Sequence, residues 1–399
     1  MTTMIAVEPE TERGIDRVIG SLRGDRSGPT LICIGGLHGN EPAGSKALQR
    51  VFAKLANRGI EIKGEFLGLV GNRQALASGH RFLSGDLNRH WLPHRIEASR
   101  AGELASSSVA EDRELDELRV TLEESFARAR GTVYLLDIHT TSGDAASFAV
   151  MSDTLRNRRF AMRFPVPVIV GLEEELEGTV TEFVGGLGHV TIGFEGGQHD
   201  DPKSVDLSEA AIWIALTSSG VIDAGETPEL EDSLELLRRR SRGLPRVFEV
   251  RFRHPVKPED EFRMEPGFHS FDQIRRGQLL AQDRHGEHRA RENGRILMPL
   301  YQSQGEDGYF EVRHFSPFWL KISTLLRRVR LDRVVHWLPG VNRHPDSPDM
   351  LIINRRIARF YSLQIFHLLG FRRHRGAGKK LVMTRQQRDF PLSSDPTSL

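Results

Sequence analysis

The sequence predicts an α/β fold: a mixed, mostly parallel sheet covered by helices on both faces, followed by a smaller β-rich domain and a basic C-terminal extension. Short continuous apolar runs, typical of strands buried on both faces, alternate with helical segments up to about residue 243. Short β-like segments then recur without intervening helices as far as residue 315. These changes predict one domain over residues 1–243, a β-rich domain over residues 244–315 and the extension over residues 316–399.

The composition of this 399-residue chain is that of an ordinary globular protein, with 38% hydrophobic and 27% charged residues and a net charge of +1. The single cysteine, Cys33, excludes an intramolecular disulfide framework and is typical of a reducing compartment. The N-terminal residues do not show a secretory signal, and no stretch approaches the roughly 20 apolar residues that span a bilayer. These observations predict a cytoplasmic protein.

The stretch over residues 31–44 (LICIGGLHGNEPAG) predicts a strand, a glycine-rich turn and the start of a helix. Its first four residues are continuously apolar, and glycines follow where the chain must turn. From Pro42 the apolar residues recur at helical spacing, and Gly59 stands where that helix should end. His38 and Glu41 therefore lie at the carboxyl end of a core strand, which is where open α/β sheets bind their ligands.

The remaining elements are predicted from the spacing of their apolar residues, which is continuous or alternating in strands and follows the helical repeat in helices. The long polar loop over residues 71–91 is predicted to be functional, because long loops inside compact domains are usually functional or disordered and this one carries large apolar side chains. Further predicted strands are residues 60–70, 132–138, 167–172 and 190–194. Predicted helices are residues 111–130 and 204–219. The β-rich domain has predicted strands near residues 246–253, 278–282, 295–301 and 309–312.

Residues with metal-binding chemistry stand at the ends of three predicted strands: His38 with Glu41, then His139, then Glu195. Two imidazoles and one carboxylate form a common ligand set of catalytic zinc, which keeps a fourth position open for water. Asp137 and His139 are two residues apart on a strand, so they face the same side. We expect Asp137 to accept the free N–H of a ligand histidine, and we assign His38 as that partner because the neighbouring strand should bring it alongside.

Four motifs between residues 35 and 198, in this order, resemble those of the succinylglutamate desuccinylase/aspartoacylase family: GGLHGNEPAG, NR followed by RFLSGDLNR, DIHTT and FEGGQ. Members of that family are zinc amidohydrolases with a carboxypeptidase-like fold, and the β-rich domain resembles the family's C-terminal domain. The resemblance implies one zinc ion per chain, with His38, Glu41 and His139 as ligands. Glu195 would be the general base and proton shuttle, which makes residues 1–243 the catalytic domain and residues 244–315 its cap.

The resemblance also implies roles for the polar loop. Arg81 would polarise the scissile carbonyl, and Asn88 with Arg89 would bind the α-carboxylate of the substrate. Asn72 would belong to the substrate-binding residues, and together with Asp86 it would shape the loop behind them. This loop would therefore supply both the electrophilic group and the carboxylate-binding group of the site.

Further along the chain, Tyr309 aligns with a family tyrosine that closes over the site. Between Arg163 and Lys203 the chain has no lysine or arginine. Aspartoacylase-like members hold a second substrate carboxylate with an arginine shortly before the base glutamate, so this sequence leaves open whether its substrate has a second carboxylate. The other departure is the extension after residue 315, which typical members lack.

A rival interpretation of the opening stretch is a phosphate-binding loop, because Gly39, Gly44, Ser45 and Lys46 follow a strand. That motif requires the lysine directly after the second glycine, whereas here a serine intervenes. A displacement of one residue turns a helical side chain by about 100°, away from the phosphates. The order of residues therefore argues against nucleotide hydrolysis.

The predicted function is a zinc hydrolase that removes an acyl group from the amine of a small carboxylate-bearing substrate, as an N-acyl amino acid deacylase. Two alternatives stay open: a carboxypeptidase acting on peptide C-termini, and a non-catalytic, membrane-associated member of the fold. The expected partner is a small N-acyl molecule, and no nucleic acid is expected because no recognised module accompanies the basic charge. The sequence does not indicate the oligomeric state.

The extension is basic and rich in aromatic residues over residues 318–338, and further basic segments follow at residues 355–360 and 371–380. Such a segment could rest on an anionic membrane through weak contacts. We favour a solvated or oligomerising appendage over this hypothesis.

Overall fold

The structure is a computed structural model, and it describes residues 15–331, 335–344, 347–353, 369–373 and 381–385 together with the backbone of residues 3–5. Two of the basic segments predicted from the sequence, residues 355–360 and 374–380, lie outside the described residues. The strands, in chain order, are β1 Thr3–Ile5, β2 Val18–Arg23, β3 Thr30–Gly35, β4 Glu65–Val70, β5 Val133–Thr141, β6 Phe148–Val150, β7 Val168–Val170, β8 Val190–Gln198, β9 Val247–Pro255, β10 Arg263–Met264, β11 Gln273–Ile274, β12 Leu279–Asp283, β13 Gly286–Arg289, β14 Gly294–Leu297, β15 Asp307–His314, β16 Val341–His344, β17 Ser347–Ile353, β18 Phe371–Arg373 and β19 Leu381–Arg385. The helices are α1 Ala43–Arg58, α2 Arg73–Ser78, α3 Pro93–Arg100, α4 Ala110–Arg128, α5 Leu155–Ala161, α6 Val180–Gly186, α7 Lys203–Ser219, α8 Glu229–Arg240 and α9 Pro317–Arg328.

A mixed sheet runs through the molecule. Within the described residues it has twelve strands in the order β1-β2-β4-β3-β5-β8-β6-β7-β9-β15-β14-β11. Strands β4, β3, β5 and β8 form a parallel centre, and antiparallel pairs extend the sheet on both sides. The predicted α/β fold class with a mixed sheet is therefore confirmed.

Two apolar cores cover the faces of this sheet, and β3 contributes to both. Leu31 and Cys33 point into the core built by α1 and α7, whereas Ile32 and Ile34 point into the core built by α4 and α6. All four side chains are fully buried. Successive side chains of a strand point to opposite faces, so a continuous apolar run is what a strand between two helical layers requires.

Helix α1 lies tightly against the end of β3 and ends where the sequence predicts. A Cβ atom at Gly35 would lie only 2.4 Å from the backbone nitrogen of Ser45, so glycine is needed for this close approach. Gly59 follows the last helical residue with a φ of 61°, a left-handed conformation that glycine adopts without strain.

The strands that follow β3 in the chain are added on opposite sides of it. Strand β4 lies on one side of β3 and β5 lies on the other, both parallel to it. Gly35 pairs with Ile138 at the carboxyl ends of β3 and β5, so the loop after β3 begins beside the end of β5. This reversal is the topological switch point at which open α/β sheets form their ligand crevices.

Several elements differ from the sequence-based expectations. The predicted strand over residues 60–70 begins only at Glu65, and the polar loop over residues 71–91 contains α2 and a short helical turn at Leu87–Arg89. β6, α5, α6 and α8 were not predicted. The first three span three to seven residues, which is too short to show a full hydrophobic period.

The β-rich segment continues the central sheet. Val168 of β7 pairs with Val247 of β9, and β15, β14 and β11 extend the sheet from there. Strands β10, β12 and β13 form a separate three-stranded antiparallel sheet. The predicted boundary at residue 244 thus falls immediately before a strand that belongs to the shared sheet.

The segment after residue 315 contains helix α9 and also β structure. Helix α9 is followed by β16, β17, β19 and β18, which form an antiparallel sheet in that order. A buried charge cluster fixes α9 to the segment before α5: Arg327 bonds Asp153 Oδ2 at 2.8 Å, and Arg158 pairs with the same carboxylate. Among the helices that the structure describes, we find no segment with the length and apolarity required to span a membrane.

We expect Asp153→Asn to lower the free energy of unfolding by about 3–5 kcal/mol, because it leaves the buried guanidinium groups of Arg158 and Arg327 without a countercharge. Urea denaturation followed by circular dichroism would measure the change. Glu235→Gln is the matched control, since it breaks an exposed pair with Arg239 and should cost at most about 1 kcal/mol. Equal effects of the two substitutions would contradict the role of the buried cluster.

Candidate metal centre and active site

Three side chains converge at the switch point. His38 and Glu41 lie on the loop between β3 and α1, and His139 lies near the end of β5. His38 Nδ1 lies 2.9 Å from Glu41 Oε1, and His139 Nδ1 lies 3.1 Å from Glu41 Oε2. All three side chains are buried, and their candidate ligand atoms lie within 4.8 Å of one another. The structure therefore brings together the three residues predicted as zinc ligands.

Each imidazole is held from behind by a second carboxylate. His38 Nε2 lies 3.0 Å from Asp86 Oδ1, and His139 Nε2 lies 2.8 Å from Asp137 Oδ2. The prediction that His38 would be the partner of Asp137 is wrong. Residues two apart on a strand share a face, so Asp137 is already beside His139, whereas His38 extends toward the loop that carries Asp86.

The charges of this cluster stabilise one another. Burial opposes the ionised form of Glu41, but the charge of His38 and hydrogen bonds from both imidazoles hold its pKa well below the usual range. Burial likewise opposes protonation of His139, but the charge and hydrogen bond of Asp137 hold its pKa well above the usual range. In the absence of an ion, each buried charge therefore has an opposite charge as its neighbour.

Glu195 lies beside the cluster on β8, where it pairs directly with His139 in the β5–β8 ladder. Its Oε2 atom is buried and makes no hydrogen bond within the described residues. Burial raises the pKa of Glu195 to about 8; His139 opposes the rise, whereas Glu41 and Asp137 add to it. An unpartnered carboxylate oxygen at this position is free to exchange a proton with a bound molecule.

Arg81 lies against the same cluster. Its Nη1 donates to Glu41 Oε1 at 3.2 Å and its Nη2 donates to Asp86 Oδ2 at 3.1 Å. Glu41 Oε2 in turn accepts the backbone N–H of Thr140 at 2.9 Å. The guanidinium group is thus fixed at the edge of the ligand set.

Asn88 and Arg89 follow Asp86 on the helical turn. Asn88 is buried, and its Oδ1 accepts the backbone N–H of Val180 at the start of α6. Arg89 donates to Asp307 Oδ2 at 2.7 Å, and this aspartate belongs to β15. The predicted carboxylate-binding arginine therefore already has a carboxylate partner, supplied by the β-rich segment.

Two predicted substrate-binding residues lie elsewhere. Asn72 is fully buried: its Oδ1 accepts the N–H of Ala75 to cap α2, and its Nδ2 lies 3.4 Å from Glu111. The structure therefore corrects the substrate-binding assignment of Asn72 and is consistent with its loop-shaping role. Tyr309 is 1% exposed and packs in the core of the β-rich segment, stacked on His254, so the expectation that it closes over the site is wrong. It alternates along β15 with residues that face the other side of the sheet.

The structure also adds residues that sequence reasoning missed. His199 Nδ1 lies 2.7 Å from the hydroxyl of Thr140, and its Nε2 lies 3.1 Å from Gln302 Oε1. Gln302 Oε1 also accepts the side-chain N–H of Asn40, and Gln304 Oε1 accepts the backbone N–H of Arg81. Nothing in the sequence marks the two glutamines, because they reach the loops of the candidate site only through the tertiary fold.

The residues present fit a zinc ion. Two imidazole nitrogens and a carboxylate converge, and both imidazoles are oriented by carboxylates on their far nitrogens, the arrangement typical of zinc-binding histidines. The unpartnered Oε2 of Glu195 lies beside this set, as expected for a base next to an open coordination position. The site can therefore support metal-assisted hydrolysis.

Comparison with known proteins identifies the same segment. Residues 27–213 match the family model of the succinylglutamate desuccinylase/aspartoacylase catalytic domain. The chain is 39% identical over 85 residues to a succinylglutamate desuccinylase from Pseudomonas putida, covering 20% of this chain and 25% of the relative. It is 35% identical over 97 residues to one from Photorhabdus laumondii, covering 23% and 29%. The alignments thus span about a quarter of the curated relatives that they match.

Solved structures show the same fold over a longer stretch. A succinylglutamate desuccinylase/aspartoacylase from Rhodobacter sphaeroides has a TM-score of 0.54 at 20% identity, covering 74% of this chain and 88% of that one. A succinylglutamate desuccinylase from Chromobacterium violaceum has a TM-score of 0.52 at 19% identity with the same coverage. The matched segment contains His38, Glu41, His139 and Glu195. Residues 27–213 therefore resemble the catalytic domain of the succinylglutamate desuccinylase/aspartoacylase family, and the fold is shared over a longer stretch.

Proposed function

We propose that this protein is a zinc-dependent amidohydrolase that removes the acyl group from the amine of a small, carboxylate-bearing substrate, as an N-acyl amino acid deacylase. The observation that carries the proposal is the convergence of His38, Glu41 and His139 beside the unpartnered Oε2 of Glu195. The family match over residues 27–213 and the curated relatives named succinylglutamate desuccinylase support the same reaction class.

Zinc, when bound, lowers the pKa of a water molecule to about 7 and polarises a substrate carbonyl. His38 and His139 would offer Nδ1, and Glu41 would offer a carboxylate oxygen. Asp86 and Asp137 would keep the N–H of each imidazole on Nε2, so that each Nδ1 lone pair faces the ion.

Glu195 would move the proton. Its Oε2 would accept a proton from the attacking water and deliver it to the nitrogen of the departing amine. A C–O bond then forms, the C–N bond breaks, and the proton passes from water to amine, so that atoms and charge balance. The positive charge of a bound ion would lower the pKa of Glu195 from the value near 8 that burial produces, which keeps the carboxylate available as a base.

Arg81 would stabilise the negative charge that develops on the carbonyl oxygen. Its guanidinium group is held in place by Glu41 and Asp86, so the positive charge needs no rearrangement during the reaction. Arg89 would bind the substrate carboxylate, because the parallel N–H donors of a guanidinium group match the two oxygens of a carboxylate. Its positive charge would then interact with both the substrate and Asp307.

The contacts of the β-rich segment favour a small substrate over a peptide. Gln302 bonds Asn40 and lies against His199, while Gln304 bonds both the N–H of Arg81 and the carbonyl of Phe82. These contacts place the segment directly on the catalytic loops. A carboxypeptidase needs an open groove for the rest of its peptide, and a non-catalytic member of the fold has no need of Glu195.

We expect Glu195→Gln to retain the zinc content of the parent chain while kcat falls by about 10²- to 10⁴-fold, because the substitution removes the base and leaves the ligands intact. His38→Ala should lower both the zinc content and the activity. Metal analysis paired with hydrolysis of a panel of N-acyl amino acids and C-terminal peptides would measure both quantities. Equal zinc loss in the two variants would contradict the division of roles, and faster cleavage of the peptides would favour the carboxypeptidase.

We expect Arg89→Ala to raise KM by about 10- to 100-fold for carboxylate-bearing substrates, the range for loss of a hydrogen bond to a charged group. Arg253→Ala is the matched control, because Arg253 also pairs with Asp307. Steady-state kinetics should show an unchanged KM for the control. An unchanged KM for Arg89→Ala would remove this residue from the substrate site.

The exposed surface of α9 supports a separate proposal, contact with an anionic membrane. Phe318, Leu325 and Val329 are 61%, 62% and 59% exposed, whereas Ser323 and Arg327 of the same helix are buried. The helix thus exposes several large apolar side chains, while its buried side contains Leu320 together with these polar residues. The exposed cations Lys321, Arg328 and Arg330 flank this apolar side, and apolar and basic groups together are what an anionic lipid surface binds.

We expect the whole protein to sediment with vesicles of phosphatidylcholine and phosphatidylserine at low salt, and not with phosphatidylcholine alone, because both charge and apolar surface contribute. Phe318→Ser with Leu325→Ser should abolish this binding. Leu236→Ser, on an exposed position of α8, is the control that should not change it. No sedimentation of the parent protein, or concentration-dependent dimerisation that requires the same residues, would overturn the proposal.

A further inference from the structure

A second group of metal-binding side chains lies in the β-rich segment, outside the candidate active site. His254, Asp283 and His288 present ligand atoms that all lie within 4.8 Å of one another. They come from three different strands, β9, β12 and β13. The donor set is two imidazoles and one carboxylate, the same set that His38, Glu41 and His139 provide.

The strands hold these side chains in place. His254 pairs with Tyr309 in the β9–β15 ladder, and the two rings stack with an interplanar angle of 3° at 5.2 Å. His288 lies on β13 opposite Ala281 of β12, so it is fixed by the short hairpin of the three-stranded sheet. The site therefore joins the hairpin to strand β9 of the large sheet.

The carboxylate of Asp283 is oriented by its own turn. Its Oδ1 accepts the backbone N–H of His285 at 2.6 Å, which leaves Oδ2 facing His288. His288 Nε2 lies 2.7 Å from this Oδ2 atom, so the imidazole and the carboxylate face each other.

The ordinary alternative is a pair of Asp283 with a protonated His288. That alternative does not use His254, whose ring centroid lies only 4.2 Å from that of His288. The convergence of His254 with the other two side chains is therefore not explained by that pair, whereas a shared ion would use all three.

We propose that His254, Asp283 and His288 bind a second zinc ion, with a water molecule as the remaining ligand. Imidazole and carboxylate together suit zinc among the common divalent ions, and the half-buried position gives the ion access. The ion would cross-link the β12–β13 hairpin to β9. Strand β9 pairs with β15, and Asp307 of β15 accepts a hydrogen bond from Arg89. This site is independent of the proposed catalysis, because none of its ligands contacts the candidate active site.

The test is zinc content by mass spectrometry of metal-replete, tag-free protein, in variants that separate the two sites. We expect about two zinc ions per chain for the parent protein, about one for His38→Ala, and none for His38→Ala with His288→Ala. His285→Ala is the matched control on the same hairpin, since His285 is exposed and outside the group, and it should keep both ions. Circular dichroism would establish that each variant is folded.

A second readout does not depend on counting ions. Added zinc should raise the thermal midpoint of His38→Ala, because an ion that binds the folded chain stabilises it, and it should not raise that of the double variant. Replacing His254 by alanine in the His38→Ala background should have the same effect as replacing His288. If His38→Ala binds no zinc, or if removing His288 changes neither quantity, the second site is excluded even where the catalytic proposal holds.

Discussion

The buried carboxylate of Glu41 is the interaction on which the candidate active site depends. One of its oxygens faces His38 and Arg81, and the other faces His139 and the N–H of Thr140. A charge removed from water is costly unless opposite charges and hydrogen bonds surround it, so the two histidines, the arginine and the strand end must come together if Glu41 is to be buried. This requirement ties the loop after β3 to the end of β5 and makes the position of the metal centre a property of the fold.

A second constraint comes from the shared sheet. Because β9 pairs with β7, the β-rich segment continues the sheet that carries the candidate ligands, and its turn before β15 reaches the polar loop. Asp307 then contacts Arg89, and Gln302 contacts His199. The surroundings of the candidate site therefore include residues more than a hundred positions away from His38, Glu41 and His139.

Sequence reasoning predicted the parts of the site that depend on local pattern. The apolar run before His38, the spacing to Glu41 and the strand before His139 place these residues at strand ends, and the structure brings them together. Strand periodicity already placed Asp137 beside His139, but the pattern could not show that Asp86 holds His38, because that depends on how the polar loop folds over the strand ends. It also misplaced Asn72 and Tyr309, whose side chains are used in a helix cap and in a core. In both cases the side chain contacts other residues of the protein: Asn72 caps α2, and Tyr309 stacks on His254.

The sequence by itself determined the α/β class and the positions of the central strands along the chain, and it placed His38, Glu41, His139 and Glu195 at strand ends, because hydrophobic period and strand-end position are local properties. The choice of the three candidate ligands among them came from the resemblance to the family. Only the tertiary structure decided the carboxylate partner of His38 and the pairing of Arg89 with Asp307. It also brought together His254, Asp283 and His288 from three strands. The physical reason is that these contacts join residues far apart in the chain, and their geometry is set by sheet register and loop packing, which no single stretch of sequence encodes.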